Sequence, residues 1–130
     1  MNFVETRRYI LERPEAKEDF PFGPDVAVFK LQKKMFATLV QSEDSARMNL
    51  KCDPNEALIL RDIFDAVLPG YHMNKRHWNT VVLDGSIPRG EIERMIDSSY
   101  SLVARGLPLK ARQGLEIRHG RDAIYGKHSG

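Results

Sequence analysis

The chain has 130 residues, 42% of them hydrophobic and 29% charged. That is one domain's length with enough apolar side chain for a core, which excludes a wholly disordered chain. Lys and Arg outnumber Asp and Glu by 20 to 18, a formal net charge of +2, and the short apolar runs exclude a membrane-spanning helix. Residues 110–130 set Lys110, Arg112, Arg118, Arg121 and Lys127 against Glu116 and Asp122, so they carry +3 and residues 1–109 carry −1. Bulk charge therefore supplies no phosphate-neutralising surface, and a nucleic-acid role must rest on a local patch. A single cysteine, Cys52, excludes an internal disulfide, and the first fifteen residues lack the apolar stretch of a secretory signal. Both features point to the cytoplasm.

Phe3, Arg7, Ile10 and Leu11 recur at helical spacing over residues 2–12, with Asn2 as N-cap and Pro14 as the stop. Residues 15–25 hold Pro21, Gly23 and Pro24 and read as a loop, with Phe20 and Phe22 plugging it onto the core. Three strands follow at 26–31, 35–40 and 47–51, joined by Gln32-Lys33-Lys34 and by the polar turn Ser42–Ser45. Connections this short force antiparallel neighbours. In the third strand Arg47, Asn49 and Lys51 alternate with Met48, Leu50 and Cys52, giving one polar and one buried face.

Asp53-Pro54 opens a second helix to about residue 65, with Ala57, Leu60, Ile63 and Phe64 as its apolar stripe. Residues 67–70 end it. A fourth strand spans 77–83 and stops at Asp84-Gly85-Ser86. Pro88 opens a helix to about Arg105, with Ile92, Met95, Ile96, Ser99, Tyr100 and Val103 facing the core and Gly106 as its C′ residue. A short helical turn runs to about Gln113. Residues 116–130 show no sustained periodicity and read as a flexible tail after a domain of residues 1–115. The order predicts an α+β fold in two layers. A three-stranded antiparallel meander plus a further strand carries its helices on one face.

The segment 71–80 concentrates chemistry. His72, Asn74, Lys75, Arg76, His77, Trp78 and Asn79 lie within it. Lys75 and Arg76 suit phosphate, the asparagines suit phosphate or base edges, and His77 and Trp78 offer stacking faces. The competing structural reading makes Trp78 a partly buried anchor and the asparagines turn caps. A second basic feature lies on the meander, with Lys33 and Lys34 at a hairpin tip and Lys30, Arg47 and Lys51 on strands beside it. These suit a wing against a nucleic-acid backbone, or charge that keeps a sheet soluble.

Other chemistries find little support. His72 and His77, five apart, share one face neither on a strand nor on a helix, so no metal site is expected. Cys52 alternates with core residues and reads as a buried thiol. Nucleophile elbows and Gly-rich phosphate loops are lacking. The polar density of residues 71–80 leaves a least favoured reading in which His72 or His77 serves as an acid–base group; the expectation is no catalytic residue and no cofactor.

The stretches FPFGPDVAVFKL, KMFATLV, RMNLKCDP, PGYHMNKRHWNTVVLDGSIP and EIERMIDSSYSLV, in that order, resemble the MmcQ/YjbR family of small bacterial proteins. The resemblance runs from about residue 3 to 114. It implies an antiparallel double-wing fold related to that of type III secretion chaperones. The wings would be the hairpins at Lys33-Lys34 and Ser42–Ser45, and the signature tract spans His72 to Asn79. The function it implies is DNA binding, for which the basic residues suggest contact with the phosphate backbone; the chain is expected to be monomeric and without enzymatic activity. The alternative is a protein-binding or chaperone-like module, using the sheet surface or an edge strand.

Overall fold

The computed structural model describes residues 1–127. Helix α1 (Phe3–Leu11) starts at a capping box: the Asn2 side chain accepts from the Glu5 amide at 2.8 Å, and Glu5 accepts from the Asn2 amide at 3.1 Å. Strands β1 (Ala16–Asp19), β2 (Ala27–Leu31), β3 (Lys34–Gln41) and β4 (Ala46–Lys51) follow. Next come α2 (Pro54–Ile63), β5 (Val67–Pro69), β6 (Trp78–Leu83), α3 (Arg89–Arg105), α4 (Leu109–His119) and α5 (Arg121–Tyr125). The six strands form one antiparallel sheet in the order β1-β2-β3-β4-β6-β5. The architecture is α+β, with two more strands than the sequence suggested. The sequence predicts a loop where β1 lies and the end of a helix where β5 lies.

Register assigns every side chain on the sheet to one of two faces. Leu39 pairs with Met48, Ala37 with Leu50, and Met48 with Val81. These residues are buried with Ile10 of α1, Ala57 and Leu60 of α2, and Ile92, Met95, Ile96 and Tyr100 of α3. The opposite face carries Arg47, Asn49 and Lys51 of β4 beside Val82, Thr80 and Trp78 of β6. The helices thus cover one face of the sheet.

One irregularity serves the core. Phe29 pairs with Ala37 and Lys30 with Met35, so Phe36 is an inserted residue with no opposite number on β2. Such a bulge re-aims a side chain. Phe36 is fully buried, edge-on to Tyr100 with ring centroids 5.4 Å apart. Ser99 of α3 satisfies the disturbed backbone: its hydroxyl donates to the Phe36 carbonyl at 2.5 Å and accepts from the Lys51 amide at 2.9 Å.

Several sequence expectations are corrected. Phe20 and Phe22 do not plug the core but stand 47% and 73% exposed, because successive turns at Phe20–Gly23 and Gly23–Val26 carry the loop outward. Ile63 lies in the last turn of α2 and points to solvent with Leu58 and Ile59. Residues 116–125, expected to be part of a flexible tail, are helical on either side of Gly120. Ile124 and Tyr125 are buried, the Ser101 hydroxyl of α3 donates to the Ile124 carbonyl, and Glu116 accepts from the Tyr125 hydroxyl at 2.7 Å. Of the expected tail, residues 116–130, the last three lie outside the described residues.

Candidate nucleic-acid interface

The tract from Gly70 to His77 is the connection between β5 and β6, and backbone chemistry decides its shape. The Gly70 amide donates to the Trp78 carbonyl at 2.9 Å. A Cβ on Gly70 would lie 2.8 Å from the Trp78 Cβ, so only glycine lets the loop leave the sheet this closely. The Asn74 side chain accepts from the Arg76 amide at 3.0 Å, an Asx turn. The His77 carbonyl accepts from the Cys52 amide at 2.8 Å, tying the loop to the end of β4.

Asn79 faces the core, only 2% exposed. Its side-chain oxygen accepts from Arg61 Nε at 2.7 Å and its amide nitrogen donates to the Ala57 carbonyl at 3.5 Å. Arg61 also donates to the carbonyls of Lys75 and Trp78. This guanidinium clamps α2 to the loop. Sequence reading missed it, because a lone arginine on a helix carries no local signal of its partners. Asn79 is therefore a packing residue and no surface contact, a correction to its place among the candidates.

Trp78 is half-buried on the helix-free face, opposite Lys51. His77 is half-buried, while His72, Lys75 and Arg76 are exposed. Lys75 Nζ donates to the Gly70 carbonyl at 3.2 Å, which folds its side chain back over the loop. The β2–β3 tip is a two-residue turn at Gln32 and Lys33, with Gln32 at φ 59°, and Lys34 opens β3. Since Ala37 pairs with Leu50 and Lys51 with Trp78, this tip, Lys51 and the 70–77 loop lie at the same end of the sheet.

Arg47 shares the face of Lys51 but sits four residues up β4, roughly 13 Å away at strand rise, whereas Lys34 pairs with the core residue Leu31 and so belongs to the other face. The turn Ser42–Ser45, the second expected wing, lies at that far end and holds Glu43 and Asp44. The two hairpins point in opposite directions, as consecutive turns of a meander must. Only the lysine-bearing one stands beside the signature tract.

Many arginines on and around the helices are paired with carboxylates, and so is Lys30 of β2, with Asp19 at 3.1 Å. Arg7, Arg13, Arg89, Arg94, Arg118 and Arg121 all form ion pairs. Among the described residues, Lys33, Lys34, Arg47, Lys51 and Arg76 form none. The acids that follow β4 are engaged elsewhere. Asp53 caps α2 by accepting from the Asn55 and Glu56 amides, and Glu56 pairs with Arg94. Cys52 is buried and desolvation, helped by Glu56 and Asp53, pushes its thiol up to about 11. That leaves it protonated and a poor nucleophile at neutral pH. No cluster of three or more metal-ligating side chains occurs among the described residues, and none of their helices is long and apolar enough to cross a membrane.

The fold is shared with known proteins. The YjbR family model matches residues 11–102. The chain belongs to the YjbR family. YbdF of Escherichia coli O157:H7 is 37% identical over 101 residues, covering 78% of this chain and 83% of YbdF. YjbR of Escherichia coli K12 is 32% identical over 113 residues, covering 87% and 96%. The crystal structure of DR2400 from Deinococcus radiodurans, with its domain DUF419, superposes with a TM-score of 0.82 at 34% identity, covering 88% of this chain and 87% of that one. The YjbR match ends inside α3, so α4 and α5 lie beyond it.

Proposed function

We propose that this YjbR-family protein is a DNA-binding module that grips the phosphate backbone and has no enzymatic activity. The observation that carries this reading is the set of unpaired cations: Lys33, Lys34 and Arg76 cluster with Lys51 at one end of the sheet, and Arg47 extends the surface along β4. Side chains already held by carboxylates gain little from a phosphate. Unpaired ones exchange only water and counterions.

The test is fluorescence anisotropy of a labelled mixed-sequence DNA, offered both as duplex and as single strand. Several phosphate contacts predict affinity that falls steeply between about 50 and 200 mM salt. The double substitution Lys51→Ala with Arg76→Ala should weaken binding and flatten the salt slope by about two contacts. No binding of either form at low salt overturns the proposal.

One observation favours a second reading, a protein-binding module. Leu58, Ile59 and Ile63 stand 56–62% exposed on α2. On that reading, Ile59→Glu abolishes capture of a nuclease-insensitive protein partner while the Lys51 and Arg76 substitutions leave it intact.

A further inference from the structure

We infer that the DNA this surface takes is single-stranded, with a base stacked on the ring pair Tyr71–His72; the inference rests on the DNA-binding reading above. Tyr71 is 68% exposed, and its ring lies 4.0 Å from that of the exposed His72, tilted by 48°. Among the described residues no third aromatic ring packs against this pair.

The pair is built into the sheet end. The Tyr71 amide donates to Thr80 Oγ1 at 2.9 Å, and Thr80 donates on to Asn49 Oδ1 at 2.5 Å. Both Thr80 and Asn49 belong to the helix-free face. Gly70 is pinned to Trp78 immediately before the pair. His72 adopts φ 57°, in the left-handed region that histidine enters more readily than most residues with a Cβ. The backbone that carries these rings is therefore tied to the sheet end, a few residues from Lys75 and Arg76.

The choice between single strand and duplex follows from what each ligand offers. A duplex presents phosphates outward and hides the faces of its bases. A single strand presents both. Cations beside outward aromatic rings match the second pattern, in which stacking tolerates any base. Helices α1, α2 and α3 pack on the far side of the sheet, so none of them lies on this surface to enter a major groove.

The probes are a labelled thymidine oligomer of about 15 nucleotides and a mixed-sequence duplex of the same length, compared by anisotropy at low salt. The expected result is at least about tenfold tighter binding of the single strand. Tyr71→Ala should lose about tenfold or more on the single strand and leave the duplex unchanged, whereas Tyr71→Phe should keep the wild-type value. Thermal melts of both variants report whether the fold survives, which the exposure of the ring predicts. Equal or tighter duplex binding, or no effect of Tyr71→Ala, overturns this inference and leaves DNA binding standing. Failure of both probes to bind wild-type protein overturns the two together.

Discussion

Asn79 and Arg76 stand three residues apart in the same tract, and their substitutions should do opposite things. Asn79 is buried and bonded to Arg61 and Ala57. Asn79→Ala leaves the Arg61 Nε donor unsatisfied and should cost about 1–3 kcal/mol of stability. Arg76 is exposed and its side chain is bonded to no other described residue. Arg76→Ala should stay within about 0.5 kcal/mol of wild-type stability while lowering DNA affinity. Denaturant titration and anisotropy on the same two variants check both statements. The residue types in this tract were legible in the sequence, but their division of labour was not. Spacing shows that Asn79 alternates with its neighbours, yet only the pairing of β6 with β4 decides which face is core. Tyr71 was overlooked for a similar reason, since a tyrosine beside a turn carries no sign of exposure.

Among the elements, legibility followed periodicity. The stripe Ile92–Met95–Ile96–Ser99–Tyr100–Val103 on α3 is buried as its spacing predicts. The Asp53–Pro54 start of α2 is also where the capping chemistry places it. β1 escaped notice because Ala16–Asp19 is four residues long, three of them charged, and exists by pairing with β2. β5 is three residues ending in proline and exists by pairing with β6. α4 and α5 bury only Leu115, Ile124 and Tyr125, too few to show as a stripe. These three are nonetheless real anchors. Ile124 is 2% exposed, so Ile124→Ala should cost about 2–5 kcal/mol, seen as a lower melting temperature. A mobile tail at this position would show no change.

At the level of the whole molecule, carboxylates paired on the helical side make folding depend on pH. Hydrogen bonding to Arg118, then His119, holds the Glu15 carboxyl below its ordinary value of 4.5. The Tyr125 hydroxyl, with Arg121 and Arg112, does the same for Glu116. The Asn2 amide and Arg89 do so for Glu5. A carboxyl with a depressed folded pKa binds fewer protons folded than unfolded, so its contribution is complete above the unfolded value and is lost as pH falls through the folded one. Melting temperature should therefore change little between about pH 7 and 5 on account of these groups, and drop below about pH 4.5. Thermal melts followed by circular dichroism across that range check the sign. A rise in stability on acidification would contradict it.

The same sheet that bears the basic face is closed to recruitment at its borders. β1, one border, carries Lys17, Glu18 and Asp19 in its four residues, and β5, the other, is cut short by Pro69, which has no amide hydrogen to offer. Charge and proline on short outer strands are how proteins discourage neighbouring chains from zipping on. A partner is therefore not expected to join the sheet as an added strand, and concentrated solutions should resist the strand-upon-strand stacking that seeds fibrils.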